Sequence, residues 1–520
     1  CRADPQAMES RPYVVATHLL AAAEHGRDPG RVAEAAEAGV QAARHALAGL
    51  AHQEAVTWYQ RVLDLLDDLP GAPQERRAEL LMDCGMAMWL AGHPEARATL
   101  HRAAELAREC GRDDLIVVAA LGGDRGFSSI SAAPDQRRIA LLTEARKLVD
   151  STDLSTRALL AAQLASELIW APDGERRFAL SDEAVALARK SGDPRTLASV
   201  LGMRSLTIIP ADPLHQRHRD GDEMLEAARR TGDDLALFHA YVQRTPPVLD
   251  SGDTARAAAL LDQADELARR LAQPQLNWLI GYSRAGLTLM QGDLAQAEYE
   301  AQAALRLGTE IGRRLEAVAI FSEQTAEIRR LQGRLWELGD RLRRAAQAPR
   351  VDPVHAVLRF LCELDDEEAG PMLDRLLAER GAVPPRNMAH RPALDNLAVA
   401  AVHLRRPELA GRLYDSLAAD GETFGHGTVA HHCGHHYLAH LCVTMGDPRR
   451  AGEHFEAAAE VHERSGVPLM LAESLLDWAD LLDTADVGGP EPAALRKWCA
   501  SLLSGRGAVL LERRLRAHPV

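Results

Sequence analysis

One helix-closing phrase recurs along this chain with a constant spacing. It reads ALARKSGDP, EAARRTGDD and ELARRLAQP in three consecutive copies. The helix breaks fall at Gly111, Gly192, Gly232, Ala272, Gly312 and Gly466. The spacing is 40 residues at each step from Gly192 to Gly312, and the 81 residues between Gly111 and Gly192 make two periods. A fixed period of this length indicates stacked helical units, none of which buries its apolar face alone.

A second phrase marks the tight turn inside each unit. It occurs at 251–257 (SGDTARA), 291–297 (QGDLAQA) and 445–451 (MGDPRRA), and in a shorter form at 91–96 (AGHPEA). Glycine ends the first helix in a left-handed conformation, and aspartate caps the second helix by accepting its free N–H groups. Proline, at Pro94 and Pro448, suits the first helical turn because no N–H is needed there. The predicted unit is therefore helix, tight turn, helix and loop.

The composition favours helix throughout and narrows the choice of partners. Aromatic residues make up only 4% of the chain, and alanine, leucine, arginine and glutamate dominate it. The net charge of −15 argues against direct nucleic-acid binding by this chain. No apolar run approaches the roughly 18 residues that span a membrane. The seven dispersed cysteines form no CxxC pair, so we expect reduced thiols and a cytoplasmic protein.

The turn-and-alanine pattern resembles the tetratricopeptide repeat (TPR), and the period of 40 resembles its longer MalT-like variant. The similarity is strongest at 45–66 and at 436–482. These segments resemble the first and last repeats of bacterial LuxR-type and AfsR-type activators and of cyclase-linked ATPases, which are ATP-dependent regulators of the STAND and AAA classes. The resemblance implies a sensor and scaffold that binds a protein partner or small-molecule inducer in its concave groove and acts on an ATPase module in cis.

The modules that would complete such a regulator are not found in this sequence. None of the three lysines, Lys147, Lys190 and Lys497, follows a glycine, so there is no GxxxxGK[ST] phosphate loop. No helix-turn-helix module is recognisable either. Because the chain begins at Cys1 rather than methionine, we expect it to be a piece of a longer protein. The alternative is a free-standing TPR adaptor that holds two protein partners without ATP control.

We predict an all-α fold, a right-handed α-solenoid of about twelve TPR-like helix pairs. N-terminal repeats are expected at 1–112, central repeats at 113–350, a shortened irregular pair at 351–385, and C-terminal repeats with a final helix at 386–520. We expect neither enzymatic activity nor a cofactor, because no HExxH motif or nucleophile elbow is present.

The one unusual cluster of side chains is HGTVAHHCGHHYLAH, at 426–440. Cys433, His436 and His440 are three and four residues apart, so a helix places them on one face. The TPR resemblance directs this face into the groove. Imidazole and thiolate groups at this spacing could bind zinc or nickel with help from a neighbouring helix. The alternative is a polar groove wall that holds no ion.

Binding in such solenoids uses exposed side chains of the first helix of each pair. In the regular repeat these residues include Leu279, Tyr282 and Leu289, which we predict to line the partner groove. The alternative for each of them is plain packing in the core.

Overall fold

The computed structural model describes most of the chain as α-helix joined by short turns. The described residues are 11–25, 29–49, 51–67, 73–123, 134–171, 174–207, 213–347, 354–387, 389–426 and 429–517. They belong to two compact units. One unit comprises Cys1–Leu168 and Ala179–Thr196, and the other comprises Ile169–Phe178 and Leu197–Val520.

The first ten described helices are α1 (Pro12–His25), α2 (Pro29–Ala48), α3 (His52–Asp67), α4 (Gln74–Leu90), α5 (Ala96–Glu109), α6 (Asp113–Leu121), α7 (Gln136–Leu148), α8 (Leu154–Glu167), α9 (Gly174–Ser191) and α10 (Pro194–Thr207). The next eight are α11 (Leu214–Thr231), α12 (Asp234–Asp250), α13 (Thr254–Leu271), α14 (Pro274–Met290), α15 (Leu294–Glu310), α16 (Arg314–Leu331), α17 (Gly339–Gln347) and α18 (Val354–Glu363). The last eight are α19 (Ala369–Arg380), α20 (His390–His403), α21 (Pro407–Leu417), α22 (Gly434–Met445), α23 (Pro448–Arg464), α24 (Pro468–Thr484), α25 (Pro492–Leu503) and α26 (Val509–Ala517).

Three runs of helices show the predicted repeat architecture. From α1 to α8, from α11 to α16 and from α20 to α26, each helix packs against the next one in the chain. Short 3₁₀ turns lie at Leu335–Leu338 and Ala418–Asp420. The prediction of an all-α repeat solenoid is confirmed, and the repeats are TPR-like helix pairs.

The residues that define the period are those that end helices. Gly192, Gly232 and Gly312 all have positive φ, at 71°, 65° and 80°. Ala272, at the corresponding position, has φ 51° although it carries a Cβ. The left-handed conformation closes a helix by letting its last carbonyls accept hydrogen bonds from the following residues.

The predicted aspartate caps are also present. Asp253, Asp293 and Asp447 each accept a hydrogen bond from the backbone N–H three residues later, at 2.9, 3.0 and 3.1 Å. The expectation for Pro94 is wrong. Helix α5 begins at Ala96, so Pro94 lies in the preceding turn. In this turn the N–H of Glu95 donates to the ring of His93, which stands where the other repeats have the capping aspartate.

The second unit curves until its last repeats contact its central ones. Thr254 Oγ1 donates to the carbonyl of Ser465 at 3.0 Å, and Arg506 donates to the carbonyl of Gln291 at 3.1 Å. One apolar core includes Leu289, Leu294 and Ile328 of the central repeats. It also includes Ala439, Phe455, Leu475 and Leu476 of the C-terminal repeats. The side of the central helices that carries Leu289, Leu294 and Ile328, called the inner face below, is therefore covered by the same chain.

A short β-hairpin lies where these two sets of repeats meet. Strands β1 (Phe424–His426) and β2 (Ala430–Cys433) pair antiparallel, with Phe424 opposite Cys433. Strand β1 packs against α12 and α20, and β2 packs against α14, α22 and α23. The all-α prediction did not include this hairpin, which brings His431 and His432 into the interior of the second unit.

Within the described residues, no helix is both long and apolar enough to cross a membrane.

Ala272 offers a test of the periodic helix break. We expect Ala272→Gly to raise the free energy of unfolding by about 1 kcal/mol, because glycine adopts positive φ without the steric cost that Cβ imposes. The measurement is the shift of the urea unfolding transition.

Gly312→Ala is the matched control, because a Cβ there would meet no atom within 4 Å and only the backbone strain changes. It should destabilise the protein by about the same amount. A neutral or destabilising Ala272→Gly would contradict this account of the repeat.

Candidate functional site

The hairpin and the turn before it determine where helix α22 begins. Cys433 is the N-cap residue of α22. The N–H of Gly434 donates to the carbonyl of Thr423 at 3.0 Å, and the N–H of His435 donates to the carbonyl of Gly421 at 2.7 Å. Two of the free N–H groups of the first helical turn are thus satisfied by the preceding loop, which holds the start of α22 in place.

A buried ion pair supports the hairpin from helix α20. Arg391 donates to Asp395 at 2.8 Å, and it also donates to the hydroxyl and the carbonyl of Thr423, at 2.8 and 3.0 Å. The second carboxylate oxygen of Asp395 lies 3.2 Å from Nδ1 of His431. Asp395 is fully buried, and the guanidinium of Arg391 replaces part of the water that its charge would otherwise require.

A chain of hydrogen bonds joins the histidines to helices α23 and α24. The N–H of Cys433 donates to Nε2 of His462 at 3.2 Å. Nδ1 of His462 lies 3.2 Å from the hydroxyl of Ser474, which lies 2.9 Å from Nδ1 of His436. Because Nε2 of His462 accepts, a neutral His462 carries its proton on Nδ1 and donates to Ser474.

These imidazoles are held in the neutral form. Burial, reinforced by the neighbouring histidines, lowers the pKa of His436 and His462 well below the ordinary value. His432 and His436 stack with their ring centroids 3.8 Å apart and their planes 13° from parallel. Because His436 is neutral, this buried stack does not hold two adjacent imidazolium charges, which would repel each other.

His436 and His440 on α22 and Asp477 on α24 form a cluster of potential metal ligands, called the ligand group below. His436 and His440 are one helical turn apart, and Nε2 of His440 lies 3.0 Å from Oδ2 of Asp477 on α24. The potential ligand atoms of these three residues lie within 4.8 Å of one another, the one such group among the residues that the structure describes. Burial opposes ionisation of Asp477, but Arg514 and His440 outweigh it and lower the pKa of this carboxyl.

The cluster borders a buried network of charges. Arg330 on α16 makes a bidentate pair with Glu473 on α24, at 2.8 and 3.0 Å, and also donates to Glu327 at 2.7 Å. Arg359 on α18 donates to the other oxygen of Glu327 at 2.9 Å, and His432 lies 3.3 Å from Glu473. Despite burial, Arg330 and Arg359 lower the pKa of Glu327 to about 2. The carboxylates are therefore ionised at neutral pH.

A second histidine pair lies on the other side of α22. Nδ1 of His435 is 3.0 Å from Nδ1 of His454, and Nε2 of His454 is 3.0 Å from the hydroxyl of Tyr414. Burial, with the neighbouring His435, lowers the pKa of His454 to about 4. This pair links α21, α22 and α23 and is separate from the ligand group.

The structure brings together two of the three predicted metal ligands. His436 and His440 share the ligand group with Asp477, whereas Cys433 is not part of it. The thiol of Cys433 is completely buried, and burial raises its pKa to about 11, which disfavours the thiolate that binds metals. Cys433 supports the cluster through its backbone N–H.

The predicted groove residues lie mostly in the core. Leu279 is 2% exposed and Leu289 is 7% exposed, and Leu289 belongs to the core that central and C-terminal repeats share. Tyr282 is half-buried and packs edge-on against Trp278 at 5.3 Å, and burial raises its pKa to about 12. Whether any of the three contacts a partner stays a prediction.

Several residues of this cluster were not expected from the sequence. They are Arg330, Glu473, Ser474, Asp477, His454 and His462. The repeat period could have predicted part of this set. Ser474 and Asp477 follow His436 and His440 by 38 and 37 residues, close to one period, which places them on the next first helix. Arg330 and Glu473 are 143 residues apart, and periodicity alone does not pair them.

Sequence comparisons place the chain in no known family. No family model matches it. No curated protein matches it either.

Three solved structures are among those that are similar to this chain. A Signal Transduction ATPase with Numerous Domains (STAND) protein with a tetratricopeptide repeat sensor, from Pyrococcus horikoshii, has 13% identity over 66% of this chain, with a TM-score of 0.38. The chain spans about half of that protein, covering 52% of it. A Rap protein complexed with Competence and Sporulation Factor has 12% identity over 74% of this chain and 97% of its own, with a TM-score of 0.42. Yeast Tom70 has 12% identity over 93% and 95% of the two chains, with a TM-score of 0.27. These similarities are weak, so the fold assignment rests on the helix pairs of this chain.

The charge network should dominate the stability of the second unit. We expect Arg330→Met to cost about 3–5 kcal/mol of unfolding free energy, because it leaves Glu327 and Glu473 buried without their main partner. The measurement is denaturant unfolding at neutral pH.

Arg334→Met is the matched control, since Arg334 pairs with Glu337 at the surface and should cost less than about 1 kcal/mol. Equal effects of the two substitutions would show that the buried network has no special role.

Proposed function

We propose that this chain is a non-catalytic, TPR-like scaffold that binds a protein partner. The observation that carries the proposal is an accumulation of exposed apolar side chains on one helix pair. Ten large apolar side chains are exposed among the described residues, and four of them lie in α15, α16 and the turn that follows. They are Tyr299 (64% exposed), Leu315 (81%), Val318 (44%) and Trp336 (70%).

The exposed residues of α16 lie along one side of the helix, as expected of a binding surface. Leu315 and Val318 are three residues apart and lie on the same side of the helix, and Ser322 continues this exposed side. The opposite side of α16 is buried through Ala317, Ile320 and the charged network. A rigid helix that exposes neighbouring apolar side chains presents a partner with area that is favourable to bury.

Closure of the second unit changes where a partner would bind. The inner side of α14, on which Leu289 was predicted to meet a partner, packs against the hairpin and the C-terminal helices. The exposed apolar side chains of α15 and α16 remain accessible. We therefore assign partner binding to this helix pair rather than to the inner side of α14.

Site-specific photocrosslinking tests this assignment. A photoreactive phenylalanine at position 315 should capture a protein partner in an extract of the native cells, and Leu315→Glu with Val318→Glu should weaken binding of the purified partner about tenfold or more. The control is position 118, because Val118 is an exposed apolar residue too, at 43%, but lies on α6 in the other unit. Equal capture at 118 and 315, or unchanged affinity of the double variant, would refute the assignment.

We propose further that the scaffold is the sensor region of a bacterial ATP-dependent transcriptional or signalling regulator in the cytoplasm. The support is the resemblance of 45–66 and 436–482 to the first and last repeats of such proteins. The coding frame upstream of Cys1 tests this. An open frame without a phosphate-loop motif would contradict the regulator proposal and favour a free-standing adaptor, while the crosslinking result would stand on its own.

A further inference from the structure

Helices α22 and α24 bring three metal-binding side chains to one place. His436 and His440 are four residues apart on α22, which is the spacing that lets two imidazoles on one helix share an ion. Their ring centroids are 4.8 Å apart. Asp477 faces them from α24, with Oδ2 at 3.0 Å from Nε2 of His440.

Neighbouring groups orient each of these ligands. Nδ1 of His436 lies 2.9 Å from the hydroxyl of Ser474. When this hydroxyl accepts a hydrogen bond from Nδ1–H, Nε2 of His436 keeps the lone pair that can coordinate an ion. Oδ1 of Asp477 accepts a hydrogen bond from Arg514 at 2.7 Å, which leaves Oδ2 on the side of His440. Such contacts to the non-coordinating atoms are typical of built metal sites, because they hold the ligands in a productive orientation.

The site is buried but has an opening. His436 is 6% exposed, whereas the side chain of His440 is 29% exposed and that of Asp477 is 10% exposed. The exposed edge of His440 provides a route for an ion to enter.

We propose that His436, His440 and Asp477 bind one divalent transition-metal ion, with zinc the preferred metal. Two imidazoles and one carboxylate form a donor set of the kind that zinc takes and that calcium and magnesium, which prefer oxygen ligands, do not. In a tetrahedral shell with bonds of about 2.1 Å, ligand atoms lie about 3.4 Å apart. Nε2 of His440 and Oδ2 of Asp477, at 3.0 Å, would separate slightly. The other pairs of ligand atoms, now within 4.8 Å, would approach by up to about 1.4 Å.

The bound ion would join neighbouring first helices of the C-terminal repeats. It would replace the hydrogen bond between His440 and Asp477 with two metal–ligand bonds, with the Nε2 proton of His440 released to water or returned at Nδ1, and it would add His436 as a third ligand. We therefore expect zinc to stabilise the C-terminal repeats, since an ion that binds only the folded state raises its stability. This site is independent of partner binding at α15 and α16.

The first experiment measures zinc binding by untagged protein after treatment with a chelator. A competition titration against a chromophoric zinc indicator should give one tight site per chain. His440→Asn and Asp477→Asn should each weaken it by about tenfold or more. His454→Asn is the matched control, because it alters a neighbouring histidine pair outside the ligand group and should leave the tight site intact. Far-ultraviolet circular dichroism of each metal-free variant checks that it is folded.

Cobalt(II) substitution in the wild-type protein gives a second readout that needs no variant. We expect visible d–d bands of a four- or five-coordinate ion without the near-ultraviolet charge-transfer band that thiolate ligation produces. A thiolate band would assign the metal to a cysteine and overturn the ligand set. Absence of a tight zinc site, or equal binding by wild type, His440→Asn and Asp477→Asn, would overturn the proposal itself.

Discussion

The buried contact between Arg330 and Glu473 is the interaction on which the second unit depends. It joins helices that are 143 residues apart in the chain. A guanidinium in the interior is tolerated only when carboxylates take the place of its hydration, and Glu327 and Glu473 do so together. Because this pairing requires α16 and α24 to come within reach of each other's long side chains, it favours the arrangement in which the C-terminal repeats cover the inner face of the central ones.

The histidine cluster is a consequence of that closure. The hairpin that carries His431 and His432 packs between central and C-terminal helices, and Glu473 contacts both Arg330 and His432. Once water is excluded, His436 and His462 are neutral. His436 stacks on His432, and Ser474 lies within hydrogen-bond distance of both His436 and His462. The same burial that removes their charge leaves lone pairs on the nitrogens, the form in which histidine binds metals. Stability and potential ligand chemistry therefore have one physical origin.

The features that were predictable from the sequence are local. Glycine is favoured where φ is positive, and aspartate caps a helix by accepting the backbone N–H three residues later. The breaks at Gly192 and Gly232 and the cap at Asp253 therefore follow from residue type. These rules fail where another residue type takes the place of glycine, as at Ala272, which ends its helix in a left-handed conformation. They also miss the hairpin, because strands of three and four residues carry almost no periodic signal.

By itself, the sequence determined the helix pairs, their period of 40 residues and the shared face of His436 and His440, because each depends on residues that are near one another in the chain. Only the tertiary structure decided which groups meet that face. Asp477 joins the histidines and the thiol of Cys433 does not, because packing of α22 against α24 sets the neighbours of each atom. The tertiary structure likewise decided that the inner side of α14 is core, since closure of the solenoid depends on contacts between distant repeats.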